Sequence, residues 1–130
     1  MKKFFYVAIM ALTTLFAVSC VSMSGAKEPK IDEEKHSVNG VVYDNETYCC
    51  WEFTWEYTIT GTGLAAGAEA EHDSGVDYYW WTEFDAQSYK ANWDYAHNQK
   101  VTSTFGGAKS KGTSSLKKLD KTESECYDMD

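Results

Sequence analysis

Between Cys50 and Thr60 the chain reads CWEFTWEYTIT. Trp51, Phe53, Trp55, Tyr57 and Ile59 alternate there with Glu52, Thr54, Glu56, Thr58 and Thr60. Successive side chains leave a strand on opposite faces, so a period of two sends the rings one way and the carboxylates the other. β-favouring residue types fill the run. The pattern calls for a strand with one dry face and one wet face. An antiparallel sheet supplies that more readily than a parallel sheet buried on both sides.

Other segments are read against this strand. Val38–Tyr43 is a shorter strand, weakened by Gly40, and Asp44-Asn45-Glu46 is a turn that joins it to the long strand as a hairpin. That trio offers too few oxygens for calcium. Gly61–Gly75 is rich in Gly and Ala and reads as a long mobile connection. Val76–Trp81 (VDYYWW) is a second strong strand, with Val76, Tyr78 and Trp80 on one face and Asp77, Tyr79 and Trp81 on the other. Aromatics on both faces suit a central strand covered on both sides, or one that presents Tyr79 and Trp81 outward.

Thr82 offers an N-cap hydroxyl, and Asp85 three residues on approximates a capping box. Ala86, Tyr89, Trp93 and Ala96 then recur at helical spacing on one face. His97 is expected at the exposed helix end. Val101–Phe105 is a further strand closed by Gly106-Gly107, Ala108–Ser115 a polar loop, and Leu116 with Leu119 a short strand or turn. Lys121–Asp130 is a polar acidic tail that includes Cys126. The expected order is β-β-loop-β-α-β. The expected class is α+β, a small antiparallel sheet with one helix packed on one face. The domain is drawn as residues 38–126, with an acidic tail at 127–130.

Lys2 and Lys3 open the chain, and Phe4–Phe16 is apolar apart from Thr13 and Thr14. Thirteen helical residues rise about 20 Å, short of the roughly 30 Å hydrocarbon core, so the stretch reads as an export signal over residues 1–19. It ends in Ala17-Val18-Ser19-Cys20, which resembles the lipobox of bacterial lipoproteins. The resemblance covers the first 20 residues only. It implies acylation of Cys20, cleavage before it, and a membrane anchor through the lipid. Val21 in place of an acidic residue after the cysteine favours the outer membrane. Residues 20–37 lack an apolar period, contain the only proline, and read as a flexible tether. His36 lies in that tether with no partner at a ligand spacing.

Cys49, Cys50 and Cys126 remain. An exported domain meets oxidising conditions, so one bridge is expected. Alternation puts Cys49 on the apolar face with Trp51 and Cys50 on the polar face with Glu52. A polar tail reaches Cys50 more easily, so Cys50–Cys126 is the expected pair, Cys49–Cys126 the next, and Cys49 a buried thiol. Three thiols without a fourth ligand argue against zinc.

The chain carries 12 Lys, no Arg and 20 Asp+Glu, a formal charge of −8, or −10 once Lys2 and Lys3 are removed. That balance disfavours nucleic acid as a partner. No phosphate loop, paired-histidine motif or serine elbow is present. Glu52 and Glu56 would lie about 13 Å apart, too far for most glycosidase pairs. His72 beside Glu71 and Asp73 is too sparse a set for a metal. No catalysis and no cofactor are expected.

The aromatic density points elsewhere. All five Trp and most of the nine Tyr fall in the domain, and a small domain hides only about 60% of its chain surface. Tyr79, Trp81, Tyr43 and Tyr48 are the candidates for exposure, with Asp77, Glu52 and Asp44 as neighbouring carboxylates. Such a strip suits stacking on a glycan or a protein partner. The alternatives are one oversized aromatic core, and a structural or accessory envelope lipoprotein with an exposed sheet edge.

Overall fold

The computed structural model describes residues 22–62, 69–103 and 106–129. The export signal, Cys20, residues 63–68 of the expected connection and Phe105 lie outside them. The described chain is mostly antiparallel β-sheet with few helical residues, compatible with the α+β class. In chain order the elements are β1 (Ser22–Gly25), β2 (Ile31–Asp32), β3 (Ser37–Val38), β4 (Val41–Val42), β5 (Tyr48–Thr62), β6 (Glu69–Thr82), α1 (Glu83–Ala96), β7 (Gln99–Ser103), β8 (Gly106–Leu119) and α2 (Glu123–Tyr127). One sheet has the order β1-β7-β8-β5-β6 and a smaller one the order β2-β3-β4.

Contacts cluster into two compact units. One holds the described residues up to Lys27 with Glu56–Ser74 and Asp94–Thr113; the other holds Glu28–Trp55, Gly75–Trp93 and Ser114 onward. In the first unit the buried side chains are Tyr57, Ile59, Ala96, His97, Val101 and Ser110. In the second, Trp51, Phe53 and Trp55 of β5 are buried with Val38, Phe84, Ala86 and Trp93. The Phe53 ring meets Tyr89 and Trp93 edge-on, at centroid distances of 5.0 Å and 5.8 Å.

The long alternation behaves as its period requires. Residues 51, 53, 55, 57 and 59 are buried, and Thr54 and Glu56 are exposed. Helix α1 starts where its cap predicts, with the Asp85 amide donating to Thr82 Oγ1 at 3.2 Å. A second orphan amide, that of Phe84, donates to the Asp44 carbonyl at 2.9 Å. The bridge joins Cys50 to Cys126 as expected, but both cysteines are fully buried, so Cys50 does not stand on a wet face. Cys49 is a free thiol, but half-buried rather than fully buried.

Several expectations are corrected. Residues 20–37 are expected as a tether, but from Ser22 onward they carry β1, β2 and the first residue of β3. β1 pairs with β7 through its backbone, Ser22 opposite Thr102 and Gly25 opposite Gln99. Main-chain pairing at a sheet margin needs no apolar period, so SMSG gives no warning of it. His36 is not loose; its ring stands edge-on to Phe84 at 5.4 Å.

Val38–Tyr43 is not one strand hairpinned to β5. It is itself a tight hairpin, β3 to β4, with Val38 opposite Val41. Asn39 and Gly40 form its turn with φ of 50° and 84°. A two-residue turn of this hand needs positive φ at both positions, which Asn-Gly supplies at least cost.

The connection after β5 is shorter than expected. Gly61 and Thr62 extend β5, and β6 begins at Glu69. The expected polar loop Ala108–Ser115 lies within the 14-residue strand β8. Lys109, Lys111, Thr113 and Ser115 are exposed there, while Ser110 is buried and Gly112 and Ser114 are half-buried. Beyond the Lys100–Lys109 pair the β7–β8 ladder continues through side chains. Ser110 Oγ accepts from the Gln99 amide at 3.0 Å and donates to its carbonyl at 3.2 Å. The Asn98 side-chain amide bonds the Gly112 carbonyl at 3.0 Å and amide at 3.3 Å.

His97, expected at the exposed helix end, is 1% exposed. Its ring lies 5.0 Å from Tyr57. It follows Trp93 by four residues, which returns it to the buried face of α1.

Candidate functional site

Asp77, Tyr79 and Trp81 occupy alternate positions of β6, so one face of that strand carries all three. The Tyr79 and Trp81 rings stack face to face, 4.0 Å apart and 2° from parallel. Tyr89 of α1 leans against both, at 5.4 Å from Tyr79 and 5.0 Å from Trp81. The hydroxyls of Tyr79 and Tyr89 lie 3.5 Å apart. All three rings are half-buried. The outward presentation of Tyr79 and Trp81 is therefore corrected: β6 is a marginal strand of its sheet, and these rings lie on the side that meets α1.

Neighbours fix the strip from below. Trp51 Nε1 donates to the Trp81 carbonyl at 3.1 Å. Trp55 Nε1 donates to Asp77 Oδ2 at 2.9 Å. The Trp55 indole also lies across Gly75, where an added Cβ would come 2.7 Å from the ring. Glycine is what admits an indole at that approach. Gly75→Ala is expected to displace Trp55 and loosen its bond to Asp77. Overpacking of this kind costs about 1–3 kcal/mol, readable as a lower denaturation midpoint with a shifted tryptophan emission. An unchanged midpoint would show that the indole moves aside freely.

The other face of β6 presents Tyr78 and Trp80, both half-buried, and the exposed Val76. Trp80 helps line an open cavity of about 370 Å³ with Tyr48, Cys49, Lys118 and Lys121. Sequence reasoning missed this cavity, because the end of β8 and the segment after it carry no periodic signal. Of the other candidates for exposure, Tyr48 is exposed and Tyr43 half-buried.

The titratable groups do structural work. Amides of Thr47 and Glu46 donate to Asp44 and hold its carboxyl below the usual range. The backbone and hydroxyl of Thr122 do the same for Glu125 in the capping box of α2. Burial, then the 2.7 Å bond to Glu71, pushes the Tyr57 hydroxyl far up, so it stays a donor. His72 Nδ1 lies 2.9 Å from Thr58 Oγ1 on an exposed stretch. Among the described residues no group of three or more His, Cys, Asp or Glu side chains is placed to hold a metal. None of their helices is long and apolar enough to cross a membrane.

The strip is thus three mutually supported rings beside one anchored carboxylate. Its chemistry is contact and hydrogen-bond acceptance; it holds no paired nucleophile and base. No family model, curated protein or solved structure matches the chain.

Proposed function

We propose that this chain is a small exported lipoprotein, anchored through an acylated Cys20, that acts as a non-catalytic binding protein. The ligand site is the strip Asp77, Tyr79 and Trp81 with Tyr89. One helix, α1, packs on one face of the main sheet and props the strip. The domain belongs at the outer membrane.

The observation that carries this reading is the 4.0 Å stack of Tyr79 on Trp81, half-exposed and braced by Tyr89. Rings held in place before binding lose little entropy on contact, and Tyr and Trp dominate interface hot spots. Face-to-face stacking uses one face of each ring, the surface a sugar would need. A protein partner is therefore favoured over a glycan.

Trp81→Ala is expected to weaken partner binding by about 2 kcal/mol, roughly 30-fold. The measurement is photocrosslinking of the acylated chain in its own envelope, with circular dichroism to show that the variant stays folded. A protein crosslinked to the wild type and lost with Trp81→Ala supports the reading. Response to a glycan panel without any protein crosslink gives the site to a sugar. Neither response, or a crosslink indifferent to Trp81, removes the strip as a site.

A further inference from the structure

Charge is segregated along this chain. Residues 99–119 hold five Lys and no Asp or Glu, whereas the rest of the chain beyond Cys20 holds five Lys and all 20 acids. Folding concentrates that asymmetry. Lys100 and Lys109 are directly opposed in the β7–β8 pair. Opposed residues share a face, and Lys111 joins that face two residues further along β8. All three side chains are exposed, while Val101 and Ser110 on the reverse face are buried. Like charges placed directly opposite destabilise a sheet unless something neutralises them. None of the three lysines makes an ion pair among the described residues.

β1 connects this lysine face to the anchor. It pairs with β7, Ser22 opposite Thr102 and Ser24 opposite Lys100. Cys20 precedes Ser22 by two residues, which span at most about 7 Å. Ser22 lies one strand over and two residues along from Lys100. That places the anchored end and the lysine face within about 20 Å of each other. The described chain enters the sheet at Ser22, so only Val21 separates it from Cys20.

We infer that the Lys100–Lys109–Lys111 face of the β7–β8 ribbon is a docking surface for an anionic bilayer, seating this part of the protein directly on the membrane. The inference rests on acylation of Cys20 and deepens it. The occupant follows from two features: the face is cationic in an acidic protein, and the covalent attachment leaves it no room to stand off. Each lysine near an anionic surface gains about fivefold in residence, and the effect fades within a Debye length, so high salt should release the face.

The test uses the full chain as exported. It is reconstituted in vesicles of phosphatidylcholine alone or of phosphatidylcholine mixed with phosphatidylglycerol. Flotation reports the anchor. An amine-reactive reagent followed by peptide mapping reports each lysine, with Lys30 and Lys35 for comparison. The expected result is flotation with both compositions, and labelling of Lys100, Lys109 and Lys111 slowed about fivefold or more on anionic vesicles only. Joint replacement Lys100→Gln and Lys109→Gln should leave flotation intact and abolish the composition dependence at Lys111. Flotation with equal labelling on both vesicles, or protection of Lys30 and Lys35 instead, overturns the docking surface and spares the anchor. Failure to float with either composition overturns both.

Discussion

Phe53→Ala is expected to cost about 4 kcal/mol, a fall in Tm of roughly 15–25 °C. Phe53 is fully buried. Its ring is held edge-on by Tyr89 and Trp93 of α1, at 5.0 Å and 5.8 Å. Truncation removes the transfer energy of the ring and leaves a void that two large aromatics cannot easily close. The same change should reach the candidate site, because Tyr89 also braces Tyr79 and Trp81. Near-ultraviolet dichroism of the variant should weaken even where the variant remains folded. Phe53→Leu keeps most of the volume and should cost well under half as much. A loss below about 1 kcal/mol for the alanine variant would contradict a ring locked between strand and helix.

Cys126→Ser is expected to lower stability by a similar amount. The bridge spans a sequence separation of 76 residues, and chain-entropy reasoning puts such a closure at about 4 kcal/mol. Denaturant midpoints of the oxidised wild type and the variant would measure it. The neighbouring thiol sharpens the prediction. Cys49 is free, and alternation turns it to the face opposite Cys50. Cys50→Ser should therefore not be rescued by a Cys49–Cys126 bridge, and peptide mapping should find both thiols alkylated. Recovery of that second bridge would mean that β5 shifts register by one residue, turning its aromatic row to the wrong face.

What could be read from the residues depended on how each element is stabilised. β5 announces itself because its inward positions are large and apolar, from Trp51 to Ile59. β8 has the same alternation of exposure, but its inward positions are Ser110, Gly112 and Ser114, so hydrophobicity carries no trace of it. β1 is held by backbone pairing with β7. The Asn39-Gly40 turn and the burial of His97 did leave signals, a two-residue hairpin dipeptide and one more helical step past Trp93. At the site, the residues Asp77, Tyr79 and Trp81 follow from alternation. Their stack and their bracing by Tyr89 do not, because ring geometry depends on which side of β6 meets α1.

The register of β1 has a consequence for the order of events as the chain is synthesised. Ser22 finds its place only beside Thr102, so the first strand to emerge waits for one of the last. Pairings this distant in the chain form slowly, since most of the loop must close before any contact repays it. The first strand to be made thus stays unpaired until the chain is nearly complete, and this margin of the sheet is the last to be sealed.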